Sequence, residues 1–319
     1  MELELIEMAQ QEFADLTRDK CISYCTAEFQ ELNSYKIEKL LFFVAKDKKY
    51  RLAVSFGEKD GIWFAPFSAP FTSFIELQDY VELDYYWKFV QLLRKEAEKR
   101  SIACIDLLLP PDIYNNQGNA KTINSLLGNQ FKLVYQEVNY SFNLADIDME
   151  SYRESIRHNA RKNLSRALKS ELCLIHCKTV HEKTTAYSII KRNREENGYA
   201  LAMSQNQVFD TGKIIDQDYF LVQNNSNVYI AAAIVFRIDR HCVQVVYWGD
   251  IRDEGQYRPI NFLAYELIKY YKSCGYSVLD IGPSSKAGEP NFGLCEFKES
   301  IGCIVSSKYR YRCELNGKK

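Results

Sequence analysis

Two stretches of the chain follow one apolar template at a constant offset of 174 positions. Phe89, Val90, Leu93 and Ala97 recur as Leu263, Ala264, Leu267 and Tyr271. That i, i+3/i+4 stripe predicts an amphipathic helix in each. Each helix feeds a short apolar segment ending on an acid, Ile102-Ala103-Cys104-Ile105-Asp106 and Tyr276-Ser277-Val278-Leu279-Asp280. A helix followed by a buried strand is a unit of alternating α/β type. Its return at a domain-sized interval points to duplication of a whole domain, because solenoid repeats recur every ~20–50 residues.

The rest of the pattern fills in around those units. Helical and loop material runs to about Lys36, and β-like runs follow at Leu40–Ala45, Tyr50–Phe56 and Ile62–Ala65. Pro66 and Pro70 make residues 66–71 an irregular aromatic loop. A helix over 85–99, a strand over 102–109, a short helix within 115–130 and a closing strand at Val134–Leu144 complete the first half. The boundary is expected at Asp146–Glu150, giving domains at 1–148 and 149–319. The second half then predicts a helix from Ser151 to about Ser170, a strand at 172–178 and a helix over 182–197 stopped by Asn197-Gly198. Strands are expected at 218–223, 228–238 and 242–249, then a helix at 259–273 and a strand at 276–281. The loop 282–288, a short helix at 293–300 and final strands to Leu315 end the chain.

Composition narrows the class. The 46% hydrophobic and 26% charged fractions are those of an ordinary globular protein, and 319 residues suit two domains. No apolar run approaches the ~18–20 residues that span a bilayer, and Met1-Glu2-Leu3-Glu4-Leu5 does not open like a signal peptide. The expected location is the cytoplasm. Most of the ten cysteines sit singly in apolar segments, as at Cys104, Cys242, Cys303 and Cys313, which suits buried free thiols in a reducing compartment. Cys173 and Cys177 fall in one strand-like run, about 13 Å apart at ~3.3 Å per residue, too far for one metal ion. No metal site is expected.

The net charge of -1 gives no global field toward DNA or an anionic surface. Locally the balance differs. Arg157, His158, Arg161, Lys162, Arg166 and Lys169 follow one another with no acid among them. On a helix they form two neighbouring stripes. Such stripes serve either as a solvated face or as a contact for phosphates of a nucleotide, a tRNA or a nucleotide-linked sugar.

The order of elements in the second half, with three local runs, carries a resemblance. The runs are Arg258-Pro259-Ile260-Asn261-Phe262-Leu263 with Gly275-Tyr276-Ser277-Val278-Leu279-Asp280-Ile281-Gly282, then Gly293-Leu294-Cys295-Glu296-Phe297-Lys298-Glu299-Ser300-Ile301-Gly302, and Asn193-Arg194-Glu195-Glu196-Asn197-Gly198-Tyr199. The chain resembles the GNAT acyltransferase superfamily, and more narrowly the tandem-GNAT group of Fem-type aminoacyltransferases. The resemblance implies a mixed α/β (α+β) protein of two tandem GNAT-like domains, each a mixed central sheet flanked by helices, with the active site in the C-terminal one. It implies transfer of an acyl or aminoacyl group to a small amine-bearing acceptor such as a cell-envelope (peptidoglycan) precursor. The donor would be aminoacyl-tRNA or acetyl-CoA, with no permanently bound cofactor. A coenzyme A-dependent N-acetyltransferase and a catalytically silent binding module are the other readings it leaves open.

Residues acquire expected roles in that frame. By resemblance, Phe297 and Lys298 lie at the donor site, where a positioned ammonium would stabilise a tetrahedral oxyanion. Asp250 and Asp280, each near a strand end, are candidates for general base or acceptor orientation, or are structural groups repeated from Asp106. Pro259 at a helix start would leave free N–H groups toward the loop carrying Arg252, Gly255, Tyr257 and Arg258, an arrangement suited to phosphate, with Ile260 and Ser284 alongside. Tyr257 replaces the small residue that acetyl-CoA users carry there, which argues against close approach of a pyrophosphate. Arg157, Arg161 and Lys162 are the candidate phosphate or acceptor ligands. Phe67, Phe71, Trp248 and Tyr257 are candidates to line a groove between the halves. No Gly-x-Ser-x-Gly elbow, Walker loop or dinucleotide fingerprint appears, so covalent catalysis has no support.

Overall fold

The computed structural model describes residues 2–315. It divides into two compact units, one holding the residues up to Glu137 together with those from Ser306 on, the other Val138–Val305. This differs from the expected division at 148/149 in two places. Residues 138–148 fall in the second unit, and the last strand of the chain falls in the first.

In the first unit β1 (Glu4–Glu7), α1 (Gln10–Thr17) and α2 (Ala27–Leu32) precede a meander of β2 (Lys39–Lys46), β3 (Tyr50–Lys59) and β4 (Ile62–Ala65). A two-residue strand, β5 (Ile75–Glu76), adds to β3. Then come α3 (Leu83–Lys99), β6 (Cys104–Leu108) and α4 (Asp112–Gly128), which is kinked at Asn115. Strand β7 (Lys132–Asn143) carries the unit boundary between Glu137 and Val138. The second unit continues with α5 (Tyr152–Ser155), α6 (His158–Leu168), β8 (Cys173–His176), α7 (Val180–Glu196) and α8 (Gln205–Thr211). A second meander follows, β9 (Gln217–Gln223), β10 (Tyr229–Arg237) and β11 (Cys242–Asp250), then α9 (Pro259–Ser273) and β12 (Val278–Pro283). The small hairpin β13 (Ser285–Lys286) and β14 (Glu289–Pro290) leads to α10 (Phe292–Ser300) and the closing strand β15 (Ile304–Glu314).

The two sheets repeat one plan. The first runs β1-β2-β3-β4-β6-β15 and the second β8-β9-β10-β11-β12-β7. In both, the pairs are antiparallel except one, β4 with β6 and β11 with β12. The crossover into that parallel strand is α3 in one unit and α9 in the other, as a parallel pair requires. The repeated template sits where duplication puts it. Phe89, Val90, Leu93 and Ala97 are buried on α3, as are Leu263, Ala264, Leu267 and Tyr271 on α9. Asp106 and Asp280 both lie buried in the parallel strand.

Each unit has its own apolar core. Phe43, Phe56, Trp63 and Phe89 centre the first, and Phe142, Phe220, Leu263 and Leu279 the second. Phe71 lies inside the first unit against Tyr24 and Tyr114 and is 1% exposed, so it lines no groove. The predicted helix over 151–170 is two helices. Ile156 and Arg157 are extended there, because the Arg157 N–H donates to Ser300 O (3.0 Å) and Ile156 is buried. Helix α8 was not expected, although Ser204 and Gln207 form a capping box that its sequence displays.

Candidate functional site

The second unit opens at the parallel pair. Strands β11 and β12 are in register only at Cys242–Val278, Val243–Leu279 and Gln244–Asp280. Strand β11 then runs on to Asp250 without β12 beside it, so backbone groups at the end of β12 need other partners. Lys298 supplies them. Its Nζ donates to the carbonyls of Ile281 (2.9 Å), Gly282 (2.8 Å) and Pro283 (3.2 Å). Gly282 has φ of 74°, the left-handed region that permits this bend. The ammonium also lies 5.4 Å from the centre of the Tyr140 ring. Lys298 is 2% exposed, and this burial lowers its pKa to about 8.

All three hydrogens of a lysine ammonium are thus committed to backbone. The expected role of Lys298 as a direct oxyanion donor does not fit this arrangement, and the residue instead fixes the path of β12. Its helix α10 is started by Asn291, whose side chain accepts from the Leu294 N–H at 3.0 Å. Phe297, next to Lys298, turns its half-buried ring edge-on to Trp248 at 6.2 Å. A cleft of about 440 Å³ adjoins it, lined among others by Arg157, Asn163, Asn261, Gly293 and Glu296.

Asp280 is fully buried and accepts from Asn139 Nδ2 (2.9 Å), Gln244 Nε2 (2.7 Å) and the Gly282 N–H (2.9 Å). A carboxylate held this way organises the sheet and has no room to take a substrate proton, which favours the structural reading of Asp280. Asp250 is different. It ends β11, half-buried, and Asn193 Nδ2 donates to its carbonyl (2.8 Å) and more weakly to Oδ1 (3.3 Å). Burial pushes its pKa up, with the charge of Glu196 adding to the effect. A carboxylate with a raised pKa suits a general base. Asn193 itself fills the space above Gly249, where a Cβ would lie 2.8 Å from it.

The donor-loop residues are spread along one edge. Arg252–Tyr257 form a 3₁₀ turn, and Arg252 Nη2 reaches Asn197 Oδ1 at 3.3 Å. A Cβ on Gly255 would meet nothing, so no close approach requires glycine there. Tyr257 and Ile260 pack partly buried on the core, and Pro259 is buried at the first position of α9. Arg258, at φ of 56°, caps that helix, and its carbonyl accepts from the N–H groups of Asn261 (3.1 Å) and Phe262 (3.3 Å). With proline lacking an N–H, few donors of the first turn remain for a phosphate, which corrects the expectation of several free ones. Ser284 is 3% exposed and its Oγ has no partner, while its carbonyl accepts from the Asn291 N–H (2.8 Å).

On the basic segment, two of the three candidates are engaged. Arg157 pairs with Glu299 (2.9 Å), and Arg161 donates to the carbonyl of Glu154 (2.6 Å). Lys162 is exposed. The sequence reading gave no role to Tyr140, Cys295 or Asn291. Tyr199, whose hydroxyl accepts from Asn291 Nδ2 at 3.4 Å, lay only in a run quoted for resemblance.

No protein-family model matches the chain, and no curated protein matches it at the sequence level. Solved structures do. The chain is similar to FemX, at 14% identity and a TM-score of 0.71 over 98% of both chains. It is similar to L-PGS from Bacillus licheniformis, at 10% identity and a TM-score of 0.60 over 98% of this chain and 94% of that one. A tandem GNAT protein from the clavulanic acid biosynthesis pathway matches over all of both chains, at 9% identity and a TM-score of 0.53. The fold is a tandem GNAT-like, Fem-like one.

Proposed function

We propose that the protein is an acyl- or aminoacyltransferase that forms an amide on a primary amine, working at the opening between β11 and β12. The observation that carries this reading is the parting of those strands after Gln244 and Asp280, with the half-buried Asp250 ending the stretch of β11 that only β10 accompanies. The amine nitrogen attacks the donor's acyl carbon, the bond from that carbon to the donor's oxygen or sulfur breaks, and the amine proton passes to the Asp250 carboxylate and from there to the departing oxygen or sulfur. Lys298 acts as a positioning residue for the β12 carbonyls, and Phe297 with Trp248 walls the opening. Arg252, Tyr257 and Arg258 border the donor. The likeness in fold to FemX and L-PGS supports this class, as does the tandem GNAT protein.

The few free N–H groups at the start of α9 favour an aminoacyl ester over coenzyme A as donor, because a pyrophosphate is held by several such groups together. A peptidoglycan precursor is the acceptor this reading favours. The test is thermal stabilisation and turnover with charged tRNA, acetyl-CoA and UDP-linked muropeptide. A ligand at 100 times its Kd adds about 2.7 kcal/mol of stability. Amide formation from charged tRNA upholds the reading, and turnover with acetyl-CoA alone replaces it by the acetyltransferase. Stabilisation by a ligand without turnover from either donor removes the enzyme reading.

A further inference from the structure

Helix α6 presents three cations and a histidine that the proposed chemistry does not use. His158, Lys162, Arg166 and Lys169 are all exposed, at spacings of four, four and three residues, so they form one stripe about 16 Å long. The opposite face is tied down by Ala160, Leu164 and Ala167 in the core. The stripe borders a shallow groove of about 530 Å³ lined only by residues 158–170, and none of its lining side chains is acidic. Of the neighbouring cations, Arg157 is paired with Glu299, while Arg161 lines the groove with its guanidinium held by the Glu154 carbonyl.

A second feature adjoins the stripe. His158 also lines the cleft that contains Gly293 and Glu296 of α10. On either side of Gly293 in the chain, Phe292 is 78% exposed and Leu294 is 37% exposed. A large apolar side chain held in water beside a row of cations combines the two forces that bind a protein to a charged bilayer, burial of apolar surface and attraction to anionic headgroups.

We propose that this face, the α6 stripe with Phe292, docks on an anionic phospholipid surface. A nucleic acid is the rival polyanion, and three observations favour lipid. Residues 157–170 contain no Phe, Tyr or Trp, whereas grooves for single strands interleave cations with large stacking platforms. The stripe is one helix long, about 16 Å, which is short for tracking a long phosphate backbone. Phe292 stands alone and exposed, as an inserting residue does. Among the described residues no helix is long and apolar enough to cross a membrane, so the contact is peripheral. The inference does not rest on the transferase reading, because its readout is binding without turnover.

The experiment is flotation of the whole chain with phosphatidylcholine vesicles, with and without phosphatidylglycerol, across a salt series. The expected result is binding only to the anionic vesicles, weakening as salt screens the headgroups. The variant carrying Lys162→Gln, Arg166→Gln and Lys169→Gln should bind roughly fivefold more weakly for each charge removed, on the order of a hundredfold together. Phe292→Ser should weaken binding and flatten no salt dependence. Both variants should melt close to the parent, since the altered side chains are exposed, which separates lost docking from lost folding. Failure to float with anionic vesicles, or flotation untouched by the charge variant, overturns the proposal. So does a stripe that ignores vesicles but holds a labelled oligoribonucleotide and loses it in the triple variant.

Discussion

The ends of β6 and β12 are the same place in two copies of one plan, and they are finished differently. In the first unit the Leu108 carbonyl accepts a backbone N–H from Thr72 (2.8 Å), and Asp106 is held by both arms of Arg310 (2.7 and 2.8 Å). In the second, Gly282, 174 positions on from Leu108, gives its carbonyl to the Lys298 ammonium, and Asp280 accepts from neutral amides with the Lys298 charge nearby. The neighbouring strand explains the change. Strand β15 brings Arg310 and Arg312 alongside β6, whereas β7 brings Asn139 and Ser141 alongside β12. One unit spends its cation inside a salt bridge and is closed. The other places its cation on backbone at the edge of an opening. Duplication preserved the acid, and the partners decide what each copy can do.

The sharpest way to break this comparison is at Asp250, which ends the free part of β11. If that end is the reacting one, Asp250→Asn should lower kcat by about 10²–10⁴-fold, the range for a lost general base. Asp106→Asn should leave turnover per folded molecule unchanged. Because burial raises the Asp250 pKa, kcat should fall as pH drops through that raised value, since a protonated carboxyl accepts no proton. Equal turnover losses for the two aspartates, measured with the proposed donor and acceptor, would end the assignment of chemistry to the second unit.

Arg310 tests the closed copy. Asp106 is 4% exposed, and Arg310→Met removes its hydrogen-bonded counter-charge, leaving only Arg312 across the β6–β15 pair. Breaking a fully buried pair costs about 3–5 kcal/mol, but the Arg310 side chain is 33% exposed, so about 2–3 kcal/mol is expected from denaturant titration. A change below half a kcal/mol would mean that the pair is a surface contact in energetic terms.

The repeated helix–strand template was readable because both of its signals are local, a 3.6-residue stripe and an apolar run ending on aspartate. The meanders were readable for the same reason. The boundary was less so, because strand exchange is a matter of long-range pairing. Nothing in residues 304–314 says that they belong beside β6. The break at Ile156 was invisible because the Arg157 N–H finds its partner at Ser300, far along the chain. At the site, Phe297-Lys298 stood out by resemblance, but the lysine's partners are carbonyls, which leave no mark on sequence. The same holds for Arg161, whose guanidinium donates to the Glu154 backbone carbonyl.

Lys298 offers a smaller effect with a definite sign. Its pKa is about 8 in the folded chain and about 10.4 when unfolded. Between those values the unfolded chain binds more protons, so stability attributable to this residue rises with pH. Relative to Lys298→Met, the parent should therefore gain on the order of 2 kcal/mol from pH 8 to 10.5, read from paired denaturant titrations. The Leu108 cap in the first unit is a backbone amide and cannot titrate. A parent-minus-variant difference that is flat across this window would show that the Lys298 ammonium is solvated.

Gln244 gives the smallest and most diagnostic shift. Its Nε2 is one of at least three neutral donors to Asp280, and the side chain is 5% exposed. A hydrogen bond to a charged group contributes about 1.5–3 kcal/mol, but after Gln244→Leu the carboxylate keeps Asn139 and the Gly282 N–H. The expected cost is about 1–2 kcal/mol, below that of Arg310→Met, because several partners share the load that one arginine carries in the first unit. Reversal of that order in matched urea titrations would mean that Asp280 is held as singly as Asp106. The second unit would then lose its claim to a differently organised junction, and the opening between β11 and β12 would be a consequence of strand length alone.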